Sequence, residues 1–201
     1  MKFIIGKKLE MSQRFRNNGA VVPVTLIFAP KNQIAQVKTK DKDGYNAVQL
    51  GAFPKKKLNK PEKGHLKGLE MHGTLNEFRL EDVKILEKGQ DLGVEQFEEG
   101  EKVNIIGISK GRGFQGVVKR HGFHGGPASH GHKDQLRMPG SIGSKGVARV
   151  FKGMKMGGHM GTDQTTIKNL EIIEVDKENS ILAVKGAVPG ARNSLLYIQG
   201  K

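Results

Sequence analysis

Between Lys110 and Gly161 the chain reads KGRGFQGVVKRHGFHGGPASHGHKDQLRMPGSIGSKGVARVFKGMKMGGHMG. Those 52 residues hold ten lysines or arginines, five histidines, 14 glycines and a single acid, Asp134, for a formal charge of +9. Only nine are Leu, Ile, Val or Phe, a share below the roughly 20% at which a highly charged segment stops sustaining a core of its own. Ordering backbone costs about 1–2 kcal/mol per residue, and burial inside this segment cannot offset it. The stretch is therefore expected to become ordered against another molecule. A polyanion that closely approaches bare backbone answers that description, and nucleic acid is one.

The rest of the charge supports the same direction. The chain carries +14 overall with a sequence pI near 9.9, which favours an anionic partner. Met1 to Pro61 contributes +10, Glu62 to Glu101 contributes −6, and Thr162 to Lys201 balances. There is no cysteine, so disulfides and thiolate metal sites are excluded. The opening MKFIIGKKLEMSQRF lacks the apolar run and cleavage pattern of a signal peptide. No stretch approaches the roughly 20 apolar residues of a membrane span. A soluble, intracellular protein is expected.

Outside the basic segment, strand signals dominate. Phe3 to Ile5, Val21 to Phe28, Ile34 to Thr39, Ala47 to Phe53, Val103 to Ser109, Leu170 to Val175, Ile181 to Val184 and Leu195 to Gln199 read as strands. KDKDGYN, with Asp43-Gly44, supplies a turn between the third and fourth, and DKENS turns the chain before Ile181. Short strands at this spacing suggest a small closed β-barrel, formed by residues 1–109 and 162–201, with 110–161 as an extended loop. Residues 55–101 are expected to be a mixed loop and helix insertion: PKKKLNKPEKGH is broken by Pro and Gly, while LNEFRLEDVKILEKG has patchy helical spacing. The fold class expected is thus mostly β, a small barrel with an α/loop insertion and a long RNA-penetrating loop. If fully extended, arms of about 26 residues would reach roughly 80–90 Å.

The chemistry-bearing patterns point away from catalysis. Gly111, Gly113 and Gly116 form GxGxxG after a strand, as a dinucleotide-binding fold requires. Gly122, Gly125, Gly126 and Pro127 follow too soon for a crossover helix to begin there. Glycine here instead lets backbone amides approach phosphates that Arg and Lys neutralise. The histidines His121, His124, His130, His132 and His159 raise the possibility of zinc, but no Cys and a single carboxylate accompany them. Imidazoles donating to phosphate or 2′-hydroxyl groups, or stacking on bases, suit the neighbourhood better. Ser141 in PGSIG has no identifiable base, so no Ser-His-Asp centre is read. Phe114, Phe123 and Phe151 could stack on unpaired bases or pin the loop's base to the body; pinning is expected of Phe114, and both roles stay open for Phe123. Met138, Met154, Met156 and Met160 suit irregular gaps.

At these residues the chain resembles the bacterial-type large-subunit ribosomal protein L-three family. Phe97, Asn104, Gly107, Ser109, Gly111-Arg112-Gly113, Gly116 and Arg120 stand at the spacing of that family's signature. PGSIGS at Pro139 to Ser144, VFKGMKMGGHMG at Val150 to Gly161, and GKKLEMSQRF with VVPVT near the start extend the likeness over essentially the whole chain. Two positions depart from it. Glu10 replaces the usual glycine, and SKGVAR after Gly143 lacks the glutamine that some bacterial members present for methylation.

The resemblance implies a β-barrel body at the ribosome surface and a loop running inward through rRNA towards the peptidyl transferase centre, deepest near Arg137 to Arg149. It implies binding near the 3′ end of large-subunit rRNA, an early role in assembly, a ribosome-bound cytoplasmic location, and L-fourteen and L-nineteen as neighbours. The expected reading is a non-enzymatic rRNA-binding structural protein without cofactor, metal or small-molecule substrate; the alternative is a nucleic-acid-binding module outside the ribosome. The residues expected to contact RNA are Lys110, Arg112, Lys119, Arg120, Lys133, Arg137, Lys145, Arg149, Lys152 and Lys155, assisted by His121, His124, His130 and His132. Lys7, Lys8, Arg14 and Arg16 form a second tier.

Overall fold

The computed structural model describes residues 2–16, 19–83 and 86–200. In chain order the elements are β1 (Phe3–Phe15), β2 (Val21–Phe28), β3 (Asn32–Lys38), the single turn α1 (Lys40–Asp43), β4 (Ala47–Pro54), α2 (Lys60–His65), β5 (His72–Arg79) and β6 (Asp91–Leu92). They continue with β7 (Lys102–Ile108), β8 (Gly113–Gln115), α3 (Val117–His121), β9 (Gly158–Met160), β10 (Gln164–Asp176), β11 (Ile181–Lys185) and β12 (Leu195–Gly200). Two compact units result: residues 1–108 with 164–201, and residues 109–163.

In the first unit six strands close into a ring in the order β1-β12-β7-β10-β11-β2, every neighbour pair antiparallel. The two strand groups separated by the basic segment therefore pair with each other. A second sheet, β5-β4-β3-β6, lies in the same unit. The strands expected at Ile34 and Ala47 belong to this sheet rather than to the ring. Alternation assigns the faces. Ile4, Ile105, Leu196 and Ile198 pack in one cluster with Ile27, Val103, Ile172 and Leu182, while their neighbours Phe3, Ile5, Leu195 and Tyr197 pack with Ile34, Val48, Leu50 and Phe78 of the second sheet. A strand covered on both faces has no reason to alternate in hydropathy, which explains the unbroken FII of β1.

Asn32 couples the two sheets. It is fully buried, and its side-chain oxygen accepts from the Ile5 amide at 2.8 Å while its Nδ2 donates to Ile5 and Pro30 carbonyls at 3.2 and 2.7 Å. One side chain thus does the hydrogen bonding of a missing strand neighbour.

The helical reading of LNEFRLEDVKILEKG is corrected. His72 to Arg79 is a strand paired with β4 along Ala47↔Arg79 to Pro54↔His72. Phe78 is buried and stacks on Phe3 with ring centroids 5.0 Å apart. Acid-rich composition favoured a helix locally, but pairing with the apolar β4 overrides so weak a preference. Leu80 to Val83 and Leu86 to Gln90 are irregular, and Lys84 and Ile85 lie outside the described residues. The basic stretch before it does form one short helix, α2, whose leading Asn59 amide donates to Glu62 at 2.9 Å.

Glu10 sits beside a register shift between Lys8 and Met11 in the β1–β2 pairing, within a strand rather than in a turn. Its backbone does not enter the left-handed region that would call for glycine, and its carboxylate meets Arg192 at 2.7 Å.

Candidate nucleic-acid interface

The second unit begins with a paired stem. The Ser109 amide donates to the Asp163 carbonyl at 2.9 Å and the Arg112 amide to Met160 at 2.8 Å, and β8 pairs β9 from Gly113↔Met160 to Gln115↔Gly158. Gly161 adopts φ +82°, and a Cβ there would collide with the Lys110 carbonyl oxygen, so the strands can approach this closely only with glycine. Most of the signature residues lie on this stem and on β7, while Phe97 is buried in the core of the first unit. The Ser109 hydroxyl accepts from the Asp163 amide at 3.2 Å, and the Asn104 side chain accepts from the Asn169 amide at 3.0 Å.

A short helix does begin after Gly116, where the sequence expectation was that no crossover helix could start. Val117 to His121 makes little more than one turn before Gly122, at φ 73°, ends it. It is far too short for a crossover. Its job is local: Arg120 Nη1 donates to the Met156 carbonyl at 2.8 Å, and a ring nitrogen of His121 lies 3.0 Å from the same oxygen. Both residues expected on RNA thus also staple the returning chain.

Beyond the helix the unit has almost no interior. Val117 is its only buried residue, and all ten lysines and arginines from Lys110 to Lys155 are exposed. None of the ion pairs formed among the described residues uses them; Lys2–Glu101, Arg14–Glu174, Arg16–Glu171, Lys38–Glu77, Lys185–Glu171 and Arg192–Glu10 all lie in the first unit. Phe114, expected to pin the loop, is instead 78% exposed. Its place in a three-residue strand with no sheet behind it leaves the ring in solvent. Phe151 is also exposed, with the Arg149 guanidinium carbon 5.8 Å from its centroid. His124, His130 and His159 are exposed; His121 and His132 are half-buried. Among the described residues no three His, Cys, Asp or Glu side chains are grouped so as to hold a metal ion.

The second-tier cations are differently placed. Lys8 Nζ donates to the carbonyls of Val188 and Gly190 at 2.9 and 3.1 Å. Lys7 Nζ sits 4.1 Å from the Phe53 ring centroid. Arg14 Nε meets Glu174 at 2.5 Å, and Arg16 Nη2 takes both oxygens of Glu171 at 2.8 and 2.9 Å. On the second sheet, hydrogen bonding to Glu77 and Tyr45 raises the Lys38 ammonium above the ordinary lysine value, and Lys38 in turn holds Glu77 below the usual carboxylate value. The four second-tier cations are thus engaged within the first unit, whereas Lys55, Lys56, Lys57 and Lys60 of the same unit are exposed. Nothing in the sequence marked Lys7 and Lys8 as internal, because their partners are a ring 46 residues away and carbonyls 180 and 182 residues away.

A strand-built first unit, with a glycine-rich second unit whose lysines and arginines form no ion pair among the described residues, defines a mostly β protein with a basic insertion. The chain belongs to the ribosomal protein L3 family. The family described as Ribosomal protein L3 matches residues 73–183, from β5 through the whole loop into β11. Over 99% of its length the chain is 51% identical to the large ribosomal subunit protein uL3 of Bacillus mycoides (strain KBAB4) and to that of Bacillus cereus (strain G9842), covering 96% of each. It is 50% identical, with the same coverage, to the uL3 of Bacillus thuringiensis (strain Al Hakam). These relatives are named as ribosomal proteins, and the family is not one of enzymes. Among the described residues no helix is long and apolar enough to cross a membrane.

Proposed function

We propose that this protein is a structural constituent of the large ribosomal subunit that binds rRNA directly, near the 3′ end of the large-subunit rRNA. On this reading the six-stranded ring is a closed barrel of the translation-protein type that positions the chain, and residues 110–161 form the rRNA-binding loop, directed towards the peptidyl transferase centre. The loop neutralises packed phosphates through Lys110, Arg112, Lys119, Lys133, Arg137, Lys145, Arg149, Lys152 and Lys155, with Arg120 and the histidines His121, His124, His130 and His132 assisting. Binding of this kind helps nucleate subunit assembly and keeps the protein ribosome-bound in the cytoplasm. The observation that carries the reading is the set of ten exposed loop cations that form no ion pair among the described residues. Cations left unpaired and crowded repel one another, and a polyanion relieves that.

Neighbouring large-subunit proteins, of which L-fourteen and L-nineteen are the proposed ones, would meet the body. Met11, Phe15 and Val21 of β1 and β2 are 52%, 68% and 53% exposed and offer apolar surface for such a contact. The test is salt dependence. Full-length protein titrated with large-subunit rRNA should lose affinity steeply between 50 and 200 mM salt, on the order of a thousandfold or more for six to ten phosphate contacts. A salt-insensitive complex would contradict the reading, and absence from purified large subunits on co-sedimentation would place the protein outside the ribosome.

A further inference from the structure

We propose that the loop carries a preformed receptor for one unpaired nucleotide, a finer assignment that rests on the reading of this loop as rRNA-facing. The site is a cleft of about 780 Å³ lined by residues 121–126, His132, Gln135, residues 138–140 and Lys155, all within the second unit. That volume is in the range of small-ligand sites, roughly 300–1,000 Å³.

Its walls are held in place by backbone. The Gly126 amide donates to the Leu136 carbonyl at 2.9 Å. Gly125 adopts φ +76°, and a Cβ there would collide with that same carbonyl oxygen. Glycine at this position is what allows the two segments to touch. On a third side the His121 ring is fixed by the Met156 carbonyl at 3.0 Å. The cleft is therefore a shape that the loop already has.

The lining selects the ligand. Phe123 and Met138 give flat and polarizable apolar walls, with the rings of His121 and Phe123 6.1 Å apart at 48°. His132 and the Gln135 amide supply donors and acceptors at the edge, and Lys155 supplies the only full charge; no carboxylate lines the cleft. A planar heteroaromatic ring with hydrogen-bonding edges and an adjacent phosphate matches each of these surfaces. A duplex does not, because its bases are stacked away from such a cavity. A metal ion does not either: three histidines line the cleft, yet the described residues contain no three-donor grouping around a common point. A free mononucleotide shares the base and phosphate chemistry. An RNA strand adds flanking phosphates for the unpaired cations outside the cleft, so we assign the ligand as a nucleotide within single-stranded RNA.

The test uses the full-length protein and three probes: a single-stranded 12-mer RNA carrying 4-thiouridine, the same RNA annealed to its complement, and the four 5′-mononucleotides. Affinity is read by fluorescence anisotropy and the contact by photo-crosslinking and peptide mapping. The single strand should bind more tightly than the duplex and crosslink within residues 121–140. Phe123→Ala should weaken single-strand binding about tenfold while leaving duplex binding and the salt slope unchanged. Met138→Ala, at a side chain already 53% exposed and so safe for folding, should weaken it in the same direction. Wild-type affinity in both variants, or crosslinks confined to other residues, overturns the cleft while the loop's general RNA binding stands. Mononucleotides binding as tightly as the 12-mer would overturn the assignment to an RNA strand. Failure of the wild type to bind either RNA would remove the rRNA reading itself, and the cleft with it.

Discussion

Lys8 and Lys145 carry the same side chain to opposite ends. Lys8 turns inward to two carbonyls of the segment before β12, whereas Lys145 stands exposed in a stretch from Gly140 to Lys155 in which every residue is exposed. The same contrast holds for Arg16, gripping Glu171 through two oxygens, and Arg137, which forms no ion pair among the described residues. In the body several positive charges are part of the architecture, matched by Glu77 and Glu101 and by Glu171 and Glu174 of β10. In the loop such charges are surplus. Two regions of one chain thus hold the same residue types in different states, ion-paired at several places in the body and, on the proposed reading, left for attachment in the loop.

The sharpest way to break this division is to remove the surplus. Deleting Phe123 to Lys152 and bridging the ends with a short glycine linker should leave the ring and second sheet folded, with an unfolding transition close to that of the full chain. The affinity for large-subunit rRNA should fall by about 10³ or more, since four to six of the phosphate contacts are lost. Circular dichroism and filter binding on the same preparation check both halves. Collapse of the body's transition would show that the loop belongs to its core.

A finer comparison exchanges residues rather than segments. The triple change Lys133→Ala, Arg137→Ala, Lys145→Ala should weaken rRNA binding roughly 100-fold at low salt and lower the slope of log K against log salt by about 2–3, with no change in stability. Lys8→Ala should do the reverse. It strands two carbonyls that accept from a charged donor, so stability should drop by about 1–3 kcal/mol with the slope unmoved. Equal slopes for the two proteins would erase the distinction between body and loop cations.

Within the body, Asn32 tests whether the two sheets are one cooperative structure. Asn32→Ala leaves the Ile5 amide and carbonyl buried without partners, a loss of about 2 kcal/mol in chemical denaturation. The expected transition remains single, because the Phe3, Phe78 and Tyr197 contacts still join the sheets. Two separated transitions would mean that Asn32 alone couples them.

Legibility in the sequence followed the range of the forces involved. Strands such as Val21–Phe28 could be located to the residue, because turn chemistry and β-branched runs are local signals. The charge of the loop was legible for the same reason, being a property of composition. β5 was misread because its partner, β4, lies some 25 residues upstream and only pairing with it outweighs the acid-rich helical look of LNEFR. The short α3 was missed because five residues between two glycines leave too little pattern to see. Division of the cations was the least legible of all. Arg14 and Arg16 pair with acids 160 and 155 residues away, and no local reading distinguishes them from Arg137 or Arg149. The cleft at Phe123 likewise depends on Gly125 meeting Leu136 across a turn, which spacing alone does not announce.

The smallest effect concerns Glu10, where the family usually has glycine. Glycine at this point in β1 would add backbone freedom to the unfolded chain and remove the contact with Arg192. The Glu10–Arg192 pair measures 2.7 Å, but both side chains are more than half exposed, at 54% and 73%. Exposed pairs contribute about 0–1 kcal/mol and are screened by salt. Restoring glycine costs roughly another 0.5–1 kcal/mol through entropy. Glu10→Gly should therefore lower stability by about 1 kcal/mol, and Glu10→Gln, which keeps the strand but not the charge, by only a few tenths. In 0.5 M salt the Gln variant should match the parent while the Gly variant still lags. A loss of several kcal/mol in the Gln variant would mean that this ion pair, like those of Arg14 and Arg16, is part of what closes the ring, and the body would then depend on charge pairing even at its rim.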